Sequence, residues 1–161
     1  MGGLNYPSTI TFPVFGSVAR VLLADAATIS TATRTSVNLT ASYETESTTV
    51  ATKRFKVAGY SKLNLDILYT MGATETSNSI EVKIEGSPDG VNFYRIPNES
   101  VSGATSTITA REFTFVGADA AATTISIGLD IFYEYVRISA KETGKVTNFG
   151  TIYSEVTLLG R

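Results

Sequence analysis

The chain has 161 residues and a formal net charge of −2, with 13 basic and 15 acidic side chains interspersed and no cysteine, histidine or tryptophan. That length fits one domain, with or without an arm, able to bury about two thirds of its unfolded surface. The composition excludes a disulfide framework and a thiol-ligated metal, removes the usual general base and commonest metal ligand, and offers no basic stripe for nucleic acid.

Serine and threonine make up about a quarter of the chain, and charged residues only 17 %. Threonine suits half-buried pleated surfaces, so the excess predicts many strands with uncharged outer faces. The start, MGGLNYPSTITF, lacks the basic and apolar regions of a secretion signal. Gly2 is followed by Tyr6 where a myristoylation motif places Ser or Thr. The apolar run Val18–Ala27 is interrupted by Arg20 and Asp25 and is too short to span a membrane. The expectation is a protein made in the cytoplasm, with no membrane partner.

Residues 1–17 read as an extended N-terminal arm, because Pro7 and Pro13 bracket a β-prone segment and exclude a long helix. The arm carries Tyr6, Ile10, Phe12, Val14 and Phe15. A segment this apolar either packs on its own domain or docks on another chain. Residues 18–161 read as the main domain. Within it, 18–24 is predicted as a strand, followed by an Ala/Thr-rich loop. From Thr35, Val37, Leu39, Ala41 and Tyr43 share one face of a strand. A loop at 44–48 precedes a strand over 50–58 with Phe55 and Val57 on one side.

The clearest alternation follows. Leu63, Leu65, Ile67 and Tyr69 point one way, with Asn64, Asp66 and Thr70 the other. Ile80, Val82 and Ile84 alternate with Glu81, Lys83 and Glu85. Ser87-Pro88-Asp89-Gly90 fits a type I turn leading into a strand over 91–96, which buries Val91 and Phe93 or else Tyr94 and Ile96. Residues 97–106 read as loop and 107–116 as one strand. Ile125, Ile127 and Leu129 continue the pattern. The run 132–141 reads as a strand with Phe132, Val136 and Ile138 inward and Tyr133, Tyr135 and Arg137 outward. A turn region over 142–150 precedes a closing strand, 151–159. Eight to ten strands at turn spacing, with no convincing helix, predict an all-β antiparallel sandwich of jelly-roll type.

No phosphate-binding loop, dinucleotide fingerprint, nucleophile elbow or zinc spacing is present. A two-carboxylate hydrolase is the one enzyme class left open, but Glu81 and Glu85 with Lys83 between them read as a solvated, charge-paired face. Asp89 and Asn92 carry the oxygens for a calcium ion, yet an Asp in that position ordinarily caps its own turn. No catalytic residue, cofactor or metal is therefore expected. Two tyrosines, Tyr133 and Tyr135, opposite the core side mark either a strand covered on both faces or a protein interface, where tyrosine is enriched.

The stretches GYSKLNLDILYT (59–70), SIEVKIEGSPDGVNFYRIPNE (79–99) and YEYVRISAKE (133–142) together resemble small β-sandwich proteins of tailed bacteriophages, most nearly the jelly-roll decoration (cement) proteins. The likeness covers about residues 57–159 and rests on pattern, which discoidin-like sugar-binding sandwiches share. It implies a non-enzymatic virion protein that self-associates, as a trimer, and binds the major capsid protein on the outer capsid surface. It brings no catalytic residues. The interface candidates are then Tyr6, Ile10, Phe12, Val14, Phe15, Tyr133 and Tyr135. The alternative is a phage tail, receptor-binding or carbohydrate-binding sandwich, with Tyr94, Tyr133 and Tyr135 as the residues to inspect.

Overall fold

The computed structural model describes residues 9–22, 29–47, 51–102, 105–110, 112–116, 122–145 and 147–160. In chain order the strands are β1 (Thr9–Phe15), β2 (Ser17–Leu22), β3 (Ile29–Thr35), β4 (Val37–Asn38), β5 (Thr52–Lys56), β6 (Tyr60–Thr70) and β7 (Ser79–Ser87). They continue as β8 (Tyr94–Arg95), β9 (Pro97–Ser102), β10 (Thr105–Ala110), β11 (Glu112–Val116), β12 (Ala122–Asp130), β13 (Tyr135–Thr143) and β14 (Thr151–Gly160). Among the described residues there is no helix.

Two antiparallel sheets pack face to face as a β-sandwich. The first runs β1-β14-β6-β12, with β4 also on β14; the second runs β11-β7-β13-β5, with β8 also on β7. The pairing is nested along the chain. β1 and β4 pair with β14, β5 with β13, β6 with β12, and β7 with β11. Two excursions interrupt this order: β2 pairs with β3, and β9 with β10, each as a separate two-stranded ribbon.

Alternation places the core. Leu63, Leu65, Ile67 and Tyr69 of β6, with Ile152, Val156 and Leu158 of β14, face Ile80, Val82 and Ile84 of β7 and Val136 and Ile138 of β13. Burying each such side chain stabilises the fold by roughly 1.5–3 kcal/mol relative to exposure. One open side of the sandwich is closed by Phe12 of β1 against Phe55 of β5, edge to face with centroids 5.2 Å apart.

Several segments depart from the sequence-based expectation. The predicted loop at 97–106 is mostly strand: Pro97 opens β9, where its missing N–H is tolerated, and the Thr- and Ile-bearing β10 pairs with it. The predicted single strand at 107–116 divides into β10 and β11, which have different partners. The Ala/Thr-rich loop after residue 24 gives way to β3, which returns along β2. From the strand predicted after Thr35, only Val37–Asn38 pairs in the sheet after Thr35 itself ends β3. Beyond it Leu39 is buried but Ala41 is exposed. Of residues 91–96 only Tyr94–Arg95 pairs, because the 88–92 turn folds out of the sheet and leaves Val91 and Tyr94 exposed. Phe132 is not inward: its side chain is 85 % exposed, since the chain turns at 133–134 and Ile131 takes the core place.

Candidate functional site

The interface candidates from the N-terminal segment fall into three groups. Val14 and Phe15 are buried in this domain's own core, Phe15 to 1 % exposure, with its N–H donated to Ser154 Oγ at 3.1 Å. Phe12 is half-buried against Phe55. Ile10 remains 39 % exposed near the end of β1. Tyr6 lies outside the described residues. The 9–15 part of the expected arm is thus a strand of the first sheet, paired along β14 from Thr9↔Leu159 to Phe15↔Ser154. Gly16 then turns the chain out at φ +81°, where a Cβ would collide with the Thr35 carbonyl.

Tyr133 and Tyr135 are both half-buried. The Tyr133 ring lies on the backbone of Gly86, so close that no Cβ fits there. Tyr135 is on the outer face of the second sheet, its ring over Gly90 and 5.9 Å from Lys56 Nζ. Neither ring projects freely.

Of the large apolar residues exposed among those described, Ile10, Phe132 and Leu159 lie toward one end of the sandwich, while Val91 and Tyr94 flank the second sheet after β7. That end carries the start of β6 and the finish of β12 and β14, together with the 131–134 connection. It adjoins β12, ATTISIGLD, which among the described residues pairs only with β6 and so stands at the sheet edge. Exposed edges are ordinarily protected by charge, proline, bulges or shortness. β5 (TKRFK) has three cations, β1 has Pro13 and a bulge beside it, and β11 is five residues long. β12 has nine residues, no Lys, Arg or Pro, and its only acid at the last position. Among the described residues, and apart from its own chain neighbours, no atom lies within 4 Å of where a Cβ on Gly128 would stand. A glycine inside a strand with open space beside it often marks close approach by another backbone. Here it sits beside a hollow of about 280 Å³ lined by Lys62, Asn64, Leu129 and Leu159.

A second concavity of about 470 Å³ lies on the outer face of the second sheet. Its floor is a cross-strand ladder in which Arg54, Arg137 and Glu85 are in register, as are Thr52, Ser139 and Lys83. Two loops bring aromatic rings over it. Tyr43 is held between Lys83 and Lys141, 4.6 and 5.0 Å from its ring centre, and Phe93 covers the Arg137 guanidinium at 4.5 Å. Arg137 donates from Nε and Nη2 to Glu85 Oε2 at 2.8 Å each, and Arg54 Nε meets Glu46 at 2.9 Å. Glu85 is therefore a buried ion-pair member and not a solvated acid, while Glu81 pairs with Lys141 at 2.9 Å. Phe93, expected in the core, belongs to this outer surface because the 88–92 turn folds back over the sheet.

That turn is fixed by Asp89. Its Oδ1 accepts the N–H groups of Val91 and Asn92 at 2.9 and 2.8 Å and the Ser87 hydroxyl at 2.9 Å, and Oδ2 accepts Asn92 Nδ2 at 2.8 Å. These oxygens cap the turn, as the Ser-Pro-Asp-Gly sequence anticipates. The Asn92 and Val91 N–H bonds, then the Asn92 amide and Ser87 hydroxyl, hold the Asp89 carboxyl well below the usual aspartate range. Its stabilising contribution is present above the ordinary aspartate value and fades as pH falls through the lowered one. An NMR titration of the Asp89 carboxyl carbon should have its midpoint well under the unperturbed value of about 3.9. A midpoint at or above that value overturns this account of the turn.

The opposite end is clamped by two buried acids. Glu142, 1 % exposed, accepts the Tyr69 hydroxyl and Asn78 Nδ2 (3.1 Å) on one oxygen and the Gly150 N–H (2.6 Å) on the other. Glu75 accepts the N–H groups of Thr147 and Asn148 at 2.6 and 2.8 Å. Burial, and after it the Glu142 carboxyl, push the Tyr69 phenol well above its usual range, which keeps it a donor. Together these bonds bind the 71–78 and 144–150 connections to the core.

Sequence reasoning assigned Tyr43 and Phe93 to strand faces by periodicity and so missed their place over the outer face, which they reach from segments that do not pair in the sheet. It also missed Glu142, although its phase with Val136, Ile138 and Ala140 on β13 was a usable signal. Among the described residues, no group of three or more His, Cys, Asp or Glu is placed to hold a metal ion. No protein-family model matches the chain, and no curated protein matches its sequence significantly.

Proposed function

We propose that the chain is a non-enzymatic structural protein that self-associates, as a trimer, and decorates and stabilises a bacteriophage capsid by binding the outer surface of the major capsid protein. The observation that carries this reading is the unprotected β12 edge, with open Gly128 on it and exposed Phe132 beside it. An edge of this kind is a template for another chain, and an apolar patch at the same end supplies burial at about 25 cal/mol per Å². The nested strand pairing further supports the reading. With the two ribbons and the short β4 and β8 set aside, β1 with β14, β5 with β13, β6 with β12 and β7 with β11 is a nesting compatible with a jelly roll, an architecture common in viral shells. Repetition around a shell converts weak individual contacts into strong attachment through avidity.

The test is native mass by light scattering on the full chain. The expected result is a trimer. Gly128→Lys has room for its side chain and places a charge on the edge strand, so it should yield a folded monomer with an unchanged circular dichroism spectrum. A wild-type chain that stays monomeric at high micromolar concentration sinks the self-association. A Gly128→Lys variant that still forms the trimer moves the interface away from β12.

A further inference from the structure

We propose that the groove on the outer face of the second sheet is a binding site for a short, uncharged saccharide. This inference is independent of the shell reading, since it uses a different face and none of the β12 residues.

The case begins with charge. Three cations, Arg54, Lys83 and Arg137, line or floor the groove, against three carboxylates, Glu44, Glu46 and Glu85. Arg137 is ion-paired with Glu85 through Nε and Nη2, Arg54 with Glu46, and Lys83 lies 3.4 Å from Glu85. A balanced, internally paired surface has no net field for a phosphate, an acidic peptide or a cation. It does offer donors and acceptors side by side on a rigid sheet, which suits a polyol whose every hydroxyl both donates and accepts.

The second observation is an unmet hydrogen bond. Thr52 is only 3 % exposed and lines the groove, yet its Oγ1 has no hydrogen-bond partner. A buried hydroxyl left without a partner costs stability, and a ligand hydroxyl reaching the groove floor would supply one. Ser139 stands next to it in register, also buried.

The third is the pair of rings. Tyr43 and Phe93 line the groove, each already held by a cation, so little side-chain freedom is left to lose on binding. Aromatic rings present apolar surface to the C–H faces of a sugar while the floor satisfies its hydroxyls. The volume of about 470 Å³ lies in the range of small-molecule sites, ~300–1,000 Å³.

The test uses the full chain with three neutral probes, maltotriose, cellotriose and tri-N-acetylchitotriose, and one anionic comparator, 3′-sialyllactose, in titration calorimetry and amide NMR. The expected result is saturable binding of at least one neutral probe, with shifts centred on Thr52, Phe93 and Ser139. Phe93→Ala should weaken it about tenfold, equivalent to ~1.4 kcal/mol. Thr52→Val should weaken it several-fold without lowering the melting temperature, because it removes an unsatisfied hydroxyl and keeps the shape. That combination separates loss of a ligand contact from loss of fold. No saturable binding of any neutral probe up to about 10 mM, well beyond the ~1 mM that corresponds to −4.1 kcal/mol, overturns the site. So does binding confined to the sialylated sugar, or binding that both variants leave unchanged.

Discussion

Glu142→Ala should lower the thermal unfolding midpoint by about 10 °C. The carboxyl is buried on the inner side of β13 and is the acceptor for the Tyr69 hydroxyl, the Asn78 amide and the Gly150 N–H. Removing it strands three donors where water does not reach. Each such orphan costs ~1–3 kcal/mol, and partial relaxation brings the sum to about 4 kcal/mol. For a domain of this size that converts at roughly 2–4 °C per kcal/mol. Glu142→Gln keeps the shape and one acceptor oxygen, so it should fall between the variant and wild type. Calorimetry on both variants checks the prediction. A drop under 2 °C for Glu142→Ala would show that the 71–78 and 144–150 connections are held by other means.

Phe15→Ala should cost about 4 kcal/mol, and Ile10→Ala less than about 1 kcal/mol, although the two lie five residues apart on one strand. Phe15 is closed in by the core and its truncation leaves a cavity, whereas Ile10 keeps 39 % of its surface in solvent. Chemical denaturation of the two variants measures the contrast. If Phe15→Ala instead left stability intact and changed only the native mass, the 9–15 segment would be a docking arm for a neighbouring chain. In the structure it is the edge strand whose residues pair with 154–159 of β14.

The parts of the fold that were legible in the sequence are those where period-two alternation runs long and uninterrupted. On β6 and β7 the polar and apolar positions separate cleanly, and Leu63, Leu65, Ile67, Ile80, Val82 and Ile84 are all core. The same rule misled at Phe132. It is in phase with Val136 and Ile138, but the phase holds only while the chain stays extended, and the bend at 133–134 breaks it. The β9–β10 ribbon escaped notice for the opposite reason: the sequences PNESVS and TSTITA show no period-two alternation of apolar and polar residues, and the proline, asparagine and serines read as loop. The groove was illegible in kind. Its floor comes from β5, β7 and β13 and its rings from residues 43 and 93, so its making depends on which strands become neighbours. The β12 edge was half legible: the absence of Lys, Arg and Pro can be read in the sequence, but that this strand stands at the rim cannot.

The nested pairing also dictates an order of events during synthesis. Thr11 and Thr157 share a hydrogen bond across 146 residues of chain, and β5 and β13 close a separation somewhat over half as wide. Apart from the two-residue contact of β8 with β7, the shortest pairing of the two main sheets is β7 with β11, at the centre of the nest. Closing the long loops first carries the greater entropic cost, so assembly proceeds outward from β7 and β11 as later strands emerge. At ~5–20 residues per second, β1 waits several seconds on the ribosome for its partner. Throughout that wait Phe12, Val14 and Phe15 are in reach of solvent and of any chaperone, and the strand that is made first among these is locked in at the end.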